Sequence, residues 1–498
     1  MSQIHFAVLD VGKTNKKITI YDSELVAVQS VSEVFEEIVD SGLTLEPIQE
    51  ITNWFLDQAK QLSAQYNIKA ISATTHGAAF VCLDDKGELT VPMLSYTTDP
   101  GEEFHKSFHA RFGSADELHL KTGTPSMPGL GCMAKAIFFI QQTFPDEFAR
   151  TRTILNYPQY FGFLLTGRTA IEKTYIGNHT YLWDFRNSEY SELVDSLGIR
   201  ELLPDRIADP WEVLGVVTDS ISDKTGLAPD TIVSTGIHDS NAALLPYLIK
   251  EKTSFVLNSS GSVMVNMRCE DTVSLEEKDL GKVILYNTNA FSEPVRTSIF
   301  LGGLEFDIYA GQIKAANGGD IPFPDFDNDL FRRIIEEKRC FIIPSVIPFG
   351  MFPNSSPKIV EDGTVFTFDD IMSGSFPEFF KDFKTPFMVL NLSIAIQTSA
   401  AIEAIGLKKN DVIYIEGGFQ KNDSYTSILS ALNPSSPIML SNLDEATSFG
   451  AALLAKSSLE KKNPMELSDA FILDCQQAEQ LNSIELQDYV NAFKEYLD

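Results

Sequence analysis

Ile4-His5-Phe6-Ala7-Val8-Leu9-Asp10-Val11-Gly12-Lys13-Thr14-Asn15-Lys16-Lys17-Ile18-Thr19-Ile20-Tyr21 is the stretch whose reading decides the fold. Ile4, Phe6 and Val8 alternate along an apolar strand, Asp10 to Lys16 make a polar turn around Gly12, and Ile18 and Ile20 share one face of a second strand. Period two on both sides of a glycine turn predicts a β-hairpin. A second copy starts near residue 254. There Phe255-Val256-Leu257-Asn258-Ser259-Ser260-Gly261-Ser262-Val263 lies over Phe6 to Thr14 without a gap, and Phe to Gly spans six residues in each. Two such hairpins, one opening each half of the chain, are expected of two related lobes that present glycine turns to one shared ligand.

Further along, Ala70 to Thr75 predicts a short strand ending at His76-Gly77, and Thr231 to Ile237 another, ending at His238-Asp239 before a helix over Asn241 to Leu248. Ile394, Ala401, Ile402 and Ile405 fall on one helical face of Val389 to Ile405, and Gly406 is placed to end that helix. Val412 to Ile415 predicts a buried strand leading into Gly417-Gly418, and Ile438 to Leu440 another, followed by a helix over Ala446 to Ala455. Strands alternating with helices predict α/β lobes with largely parallel sheets, whose ligands sit beyond the carboxyl ends of the strands. Asn317 to Asn328, rich in Gly, Pro and Asp, reads as a surface loop. The expected domains are residues 1–247 and 248–456, with 457–498 as terminal helices packed on the second lobe. That boundary rests on the repeated hairpin.

Composition narrows the class of function. A chain of 498 residues exceeds what one core usually serves, and 44% hydrophobic with 22% charged residues is ordinary for a globular protein. Its net charge of −30 opposes a phosphate backbone or an anionic membrane, so neither nucleic acid nor a membrane is an expected partner. An anionic ligand would need local donors and a divalent cation against that field. Cys82, Cys132, Cys269, Cys340 and Cys475 are scattered, without metal-binding spacing, which fits a reducing compartment. The first residues lack a basic segment followed by an apolar one, and no run of 18 apolar residues occurs. Cytoplasmic is the expected location.

In this order, the pieces from about residue 4 to 456 resemble the FGGY carbohydrate kinase family. The resemblance implies two actin-like, ribonuclease H-like lobes with a nucleotide cleft between them. It also implies an ATP- and Mg²⁺-dependent transfer of phosphate to a small ketose, and allows a homodimer. Asp10 to Lys17 resembles the family's amino-terminal phosphate motif, which implies Asp10 for the hydrated metal and Gly12, Lys13, Thr14, Asn15 and Lys17 for phosphate. The chemistry is apt, since a glycine turn lets backbone N–H groups approach phosphate and a neighbouring carboxylate can hold a hard cation. A plain hairpin with a polar tip also fits these residues taken alone.

Gly236 to Ala243 resembles the catalytic segment, with Asp239 as general base for the acceptor hydroxyl. Asp before a helix is equally a favoured N-cap, and the two roles are compatible. Leu257 to Ser262 resembles the second phosphate motif in its rhamnulokinase and fuculokinase wording, implying Gly261 and Ser262. Glu416 to Asn422 resembles the adenosine motif, implying Gly417, Gly418 and Asn422, and Glu445 to Ala452 resembles the stretch near the family's carboxyl end. For the sugar, the resemblance implies Thr75, His76, Gly77, Tyr96, Asp99, His238 and Asp239. His76 and Ala79 stand where rhamnulokinases typically carry Trp and Asp, and the His-Gly pair is similar to xylulokinases, which leaves the sugar itself open. Tyr96 and Asp99 also read as a loop with a packed Tyr. A catalytically silent sugar-responsive regulator and another actin-like ATPase are the rival classes.

Overall fold

The computed structural model describes residues 3–319, 321–346, 349–443, 445–481 and 486–497. The first sheet contains β1 (His5–Val11), β2 (Asn15–Asp22), β3 (Ala27–Val34), β4 (Ile68–Thr75), β5 (Val213–Val216) and β6 (Ile232–Ser234), with β7 (Ile237–His238) also paired to β4. Its order is β5-β6-β4-β1-β2-β3. Both faces of β1 are covered, which is why its side chains are apolar almost without interruption. Ala7, Leu9 and Val11 pack with α1 (Ile48–Ser63) and α2 (Tyr157–Thr166), while Phe6 and Val8 face a cluster that includes α3 (Asp239–Lys250).

The second sheet contains β8 (Phe255–Ser260), β9 (Met264–Cys269), β10 (Ile284–Thr288), β11 (Pro294–Phe300), β12 (Val412–Gly417), β13 (Ile438–Ser441) and β14 (Cys475–Gln477). Its order is β10-β11-β9-β8-β12-β13-β14. The two hairpins occupy equivalent places. In each sheet the first strand pairs antiparallel with its hairpin partner and parallel with the next long strand, so Val11 pairs with Thr75 as Ser260 pairs with Gly417. Helices α4 (Gly302–Ala316), α5 (Lys384–Ala404) and α6 (Asp423–Leu432) cover one face of this sheet. Helix α7 (Ala446–Glu460), from the end of the second half, packs on β1, β4 and β6 of the first sheet.

Several expectations need correction. The sheets are mixed rather than largely parallel, because strands joined by short turns must run antiparallel and only those reached through helices can run parallel. The strand expected over Thr231 to Ile237 is broken at Gly236, whose φ of +88° and approach to the Ala73 carbonyl leave no room for a side chain. Residues after Ser457 are not only helices, since β14 adds an antiparallel edge to β13; residues 482–485 and 498 lie outside the described residues. The expected loop over Asn317 to Asn328 includes Asp320, also outside them. Helix α5 is long and apolar enough to cross a membrane, but 78% of its apolar window is buried as a core helix.

Candidate active site

Helix α3 is wedged between the lobes. Ala242, Leu245 and Ile249 pack with the first sheet, and Leu244 and Tyr247 pack with Phe255, Leu257 and Tyr414 of the second. Asp239 is the first residue of this helix. The N-cap is His238, not Asp239: the His238 Nδ1 accepts the Ser240 N–H at 3.2 Å, because the chain turns into the helix one residue earlier than expected. Asp239 Oδ1 accepts that same N–H at 2.6 Å and lies 3.1 Å from the His238 ring.

Asp10, at the end of β1, pairs in register with Lys17 and Thr74. Burial first, and then the Asp239 carboxylate, push Asp10 up to about 7. Asp239 is likewise raised, chiefly by burial, with His76 opposing. The Asp239 carboxylate thus raises Asp10, and Lys17 opposes that rise. Lys17 is tied to Glu445, at the foot of α7. Thr14 and Asn15 are exposed at the turn, and the Asn15 carbonyl accepts the Gly12 N–H at 3.0 Å.

Lys13 goes elsewhere. Its ammonium is bonded to Glu37, Glu46 and Ser95 of the same lobe and lies 4.7 Å from the centre of the Tyr96 ring. Its side chain is therefore engaged beside Tyr96 and His76, not free at the turn. His76 is buried between Tyr96 and Tyr157, edge-on to both, and its Nε2 stands 4.0 Å from Glu46 with no hydrogen bond among the described residues. Burial holds the His76, His179 and His238 rings below the usual histidine range, to about 4 for His179 and about 3 for His238. Gly77 completes the cluster, for a Cβ there would meet His179 Nε2 and His238 Nε2, each at 2.6 Å. Thr75 is buried behind it, with its hydroxyl on the His76 carbonyl at 3.1 Å. Asp99 is not brought in: it is exposed and accepts the Gly101 N–H at 2.9 Å.

On the second lobe, Gly261, Ser262, Gly418 and Asn422 line one cavity of about 450 Å³ together with Phe306, Phe323, Phe387 and Phe419. Asp307, Asp325, Asn391, Lys421, Asp423 and Ser424 also line it, and an aromatic wall beside polar groups suits a planar heterocycle. Gly417 serves the backbone instead, having a φ of +82° and a missing Cβ that would lie 2.1 Å from the Ser260 carbonyl. Asn422 caps α6 through Tyr425 N–H at 3.1 Å and donates to Asn391 at 2.8 Å.

Residues 5–246 match the family model for the amino-terminal domain of the FGGY family of carbohydrate kinases, and residues 252–464 match that for its carboxyl-terminal domain. The chain belongs to the FGGY family. It is similar to a rhamnulokinase of Enterococcus faecalis, 26% identical over 190 residues covering 38% of this chain and 37% of the relative. To an L-fuculokinase of Escherichia coli it is 22% identical over 251 residues, 49% of this chain and 52% of the relative. These matches thus span between about a third and a half of the curated relatives' length. In fold it is similar over its whole length to a carbohydrate kinase from Novosphingobium aromaticivorans, with a TM-score of 0.80, 23% identity and 100% and 99% of the two chains covered. A ligand-bound xylulose kinase from Lactobacillus acidophilus gives a TM-score of 0.81 at 18% identity, covering 99% and 97%.

Glu37, Glu46, Ser95, Tyr157, Asn178 and His179 of this FGGY chain join the cluster without having been read from its sequence. Apart from the adjacent Asn178 and His179 they come from separate elements, and they share no motif. The polar pair Asn178-His179 between apolar Tyr175-Ile176 and Tyr181-Leu182 is the one local sign that could have singled them out.

Proposed function

We propose that this protein is an ATP-dependent sugar kinase that phosphorylates a hydroxyl of a small ketose of the rhamnulose, fuculose or xylulose kind, in sugar catabolism. The observation that carries this reading is Asp239. It stands at the start of a helix wedged between the lobes, electrostatically coupled to Asp10 on the phosphate hairpin and to His76 beside the polar cluster. A raised, partly desolvated carboxyl at that junction can accept a hydroxyl proton while the oxygen attacks phosphorus.

In this reading the sugar lies against His76, Gly77, Tyr96 and His238, and the neutral His76 ring, whose Nε2 has no partner among the described residues, can donate or accept a hydrogen bond. ATP places its base in the Phe-lined cavity and its phosphates against Gly12, Thr14, Asn15, Gly261 and Ser262. Asp10 fits a hydrated Mg²⁺, because its buried carboxyl, raised further by the Asp239 carboxylate, leaves two acidic groups whose charge a cation would balance. When bound, that ion would neutralise charge on the phosphoryl oxygens. Asp239 orients and deprotonates the hydroxyl, and approach of the lobes excludes water. Five free cysteines suit the cytoplasm.

A coupled ADP-release screen over ketoses and polyols tests this. We expect one small set of ketoses to stimulate ADP release well above the sugar-free rate. Equal ADP release with and without every sugar would contradict the reading.

A further inference from the structure

Glu172 to His179 is one short segment that touches both sides of the sugar-side cluster. Thr174 Oγ1 accepts the His238 backbone N–H at 3.1 Å and donates to Glu172 Oε2 at 2.5 Å, while Glu172 Oε1 accepts the Thr174 N–H at 2.8 Å. The Tyr175 hydroxyl accepts the Ala79 N–H at 3.0 Å and reaches the carbonyl oxygens of Ala79 and His76 at 2.7 and 2.9 Å. The Asn178 amide meets His238 Nε2 at 2.8 Å. All four side-chain groups are buried, none being more than 4% exposed, so solvent does not compete for these bonds.

We propose that Thr174 and Asn178 are positioning residues for Asp239, acting through His238. This rests on the reading of Asp239 as the general base. His238 is gripped at three points: its N–H by Thr174, its Nε2 by Asn178, and its Nδ1 by the Ser240 N–H. The bonds to Thr174 and Ser240 flank Asp239 in the chain, so they set where its carboxylate starts its reach. Because Nδ1 accepts from a backbone N–H, the ring proton belongs on Nε2; the Asn178 amide nitrogen stands 2.8 Å from Nε2 and the amide oxygen has no partner among the described residues, so half a turn of the amide brings its oxygen onto that proton. Asn178 thereby selects the tautomer that caps α3. Glu172, buried and shielded from water, is the group that orients the Thr174 hydroxyl so that its lone pair meets His238 N–H. The segment also fixes His76 and Ala79 through Tyr175, so one turn of chain sets the spacing between sugar contact and base.

Two measurements test the proposal. The first is steady-state kinetics of Thr174→Val, which keeps shape and loses the hydroxyl, and of Thr174→Ser, which restores it. For the Val variant we expect kcat to fall on the order of 10- to 100-fold, with KM for ATP within about twofold, as for a displaced reacting group. The Ser variant should recover to within about threefold of wild type. The second is nitrogen-15 NMR of histidine-labelled protein, in which His238 should carry its proton on Nε2 and lose that single tautomer in Asn178→Ala. A Thr174→Val enzyme with wild-type kcat, or a His238 tautomer unmoved by Asn178→Ala, would overturn the proposal. If wild type transfers phosphate to no sugar, it is the base reading of Asp239 that fails. The NMR arm still decides whether Asn178 governs His238.

Discussion

Gly450 lies so close to the carbonyl of Ala242 that a Cβ on it would stand 1.8 Å from that oxygen. Pro246, inside α3 and four residues after Ala242, has no N–H to bond that carbonyl, so the oxygen is left facing α7 at the point where Gly450 crosses. The missing bond and the missing side chain coincide, and they let the two helices touch backbone to backbone. Since α3 begins with Asp239, Gly450→Ala should push α3 away from α7 and disturb the site from a distance. We expect Tm to drop by about 5 °C, as for overpacking against backbone, and kcat to fall as well. Differential scanning fluorimetry beside kinetics checks both.

Lys13 belongs by motif to the phosphate turn and by contact to the sugar side. Its bonds to Glu37, Glu46 and Ser95 hold the wall that carries Tyr96. Removing it by Lys13→Ala should raise KM for the best sugar about tenfold while moving KM for ATP by less than about twofold, because the lost contacts serve one substrate. A rise confined to KM for ATP would return Lys13 to the phosphates.

Asp239→Asn should leave the helix cap in place, because His238 supplies it, and lower kcat by about two to four orders of magnitude, the scale of losing a general base. A base works only when ionised, so wild-type kcat/KM should rise with pH through the raised Asp239 pKa, and this limb should vanish in the variant. Circular dichroism and calorimetric ADP binding check that fold and nucleotide site survive.

Asp10 gives a stability test of its own. Its carboxyl is raised from 3.8 to about 7, so the folded chain holds that proton more tightly than the unfolded chain. The favourable contribution is present in full below 3.8 and is lost as pH rises through about 7. Asp10→Asn should therefore raise Tm by several degrees at pH 8 without ligands and leave it nearly unchanged at pH 4. It should also weaken Mg²⁺-dependent activity.

Two glycines separate steric roles in the nucleotide cavity. Gly261 has an ordinary φ and its nearest neighbour to a new Cβ is the Val263 carbonyl at 3.6 Å, so Gly261→Val should fold normally and fill the cavity. We expect ADP binding to weaken more than about 100-fold by calorimetry, since the added methyls occupy ligand space. Gly417→Ala should instead lower Tm, being strained in φ and pressed on Ser260.

The hairpins, the alternation of strands and helices, and the Gly and Asp residues at strand ends were legible because each is a local pattern. Mixed sheet direction was not, since pairing is decided by how far a connection must travel rather than by the residues in a strand. Lys13 shows the same limit within the site: its position in the turn follows from the chain, but its long side chain can reach Glu46 only once the lobe has folded. Asn178 and His179 owe their place to the turn that follows Lys173–Ile176, which no sequence spacing announces. The N-cap moved from Asp239 to His238 because an imidazole nitrogen can accept an N–H as an Asp oxygen does, a substitution that a motif rule passes over.

The most direct test follows the phosphate itself. Enzyme is mixed with ATP labelled at the γ-phosphate and with the best ketose from the screen, and the label is traced through a single turnover. Label should appear in a sugar phosphate ester, with little in inorganic phosphate, and its transfer should be slowed by about two to four orders of magnitude in Asp239→Asn. Label appearing only as inorganic phosphate, or remaining in ATP while the nucleotide stays bound, would contradict it.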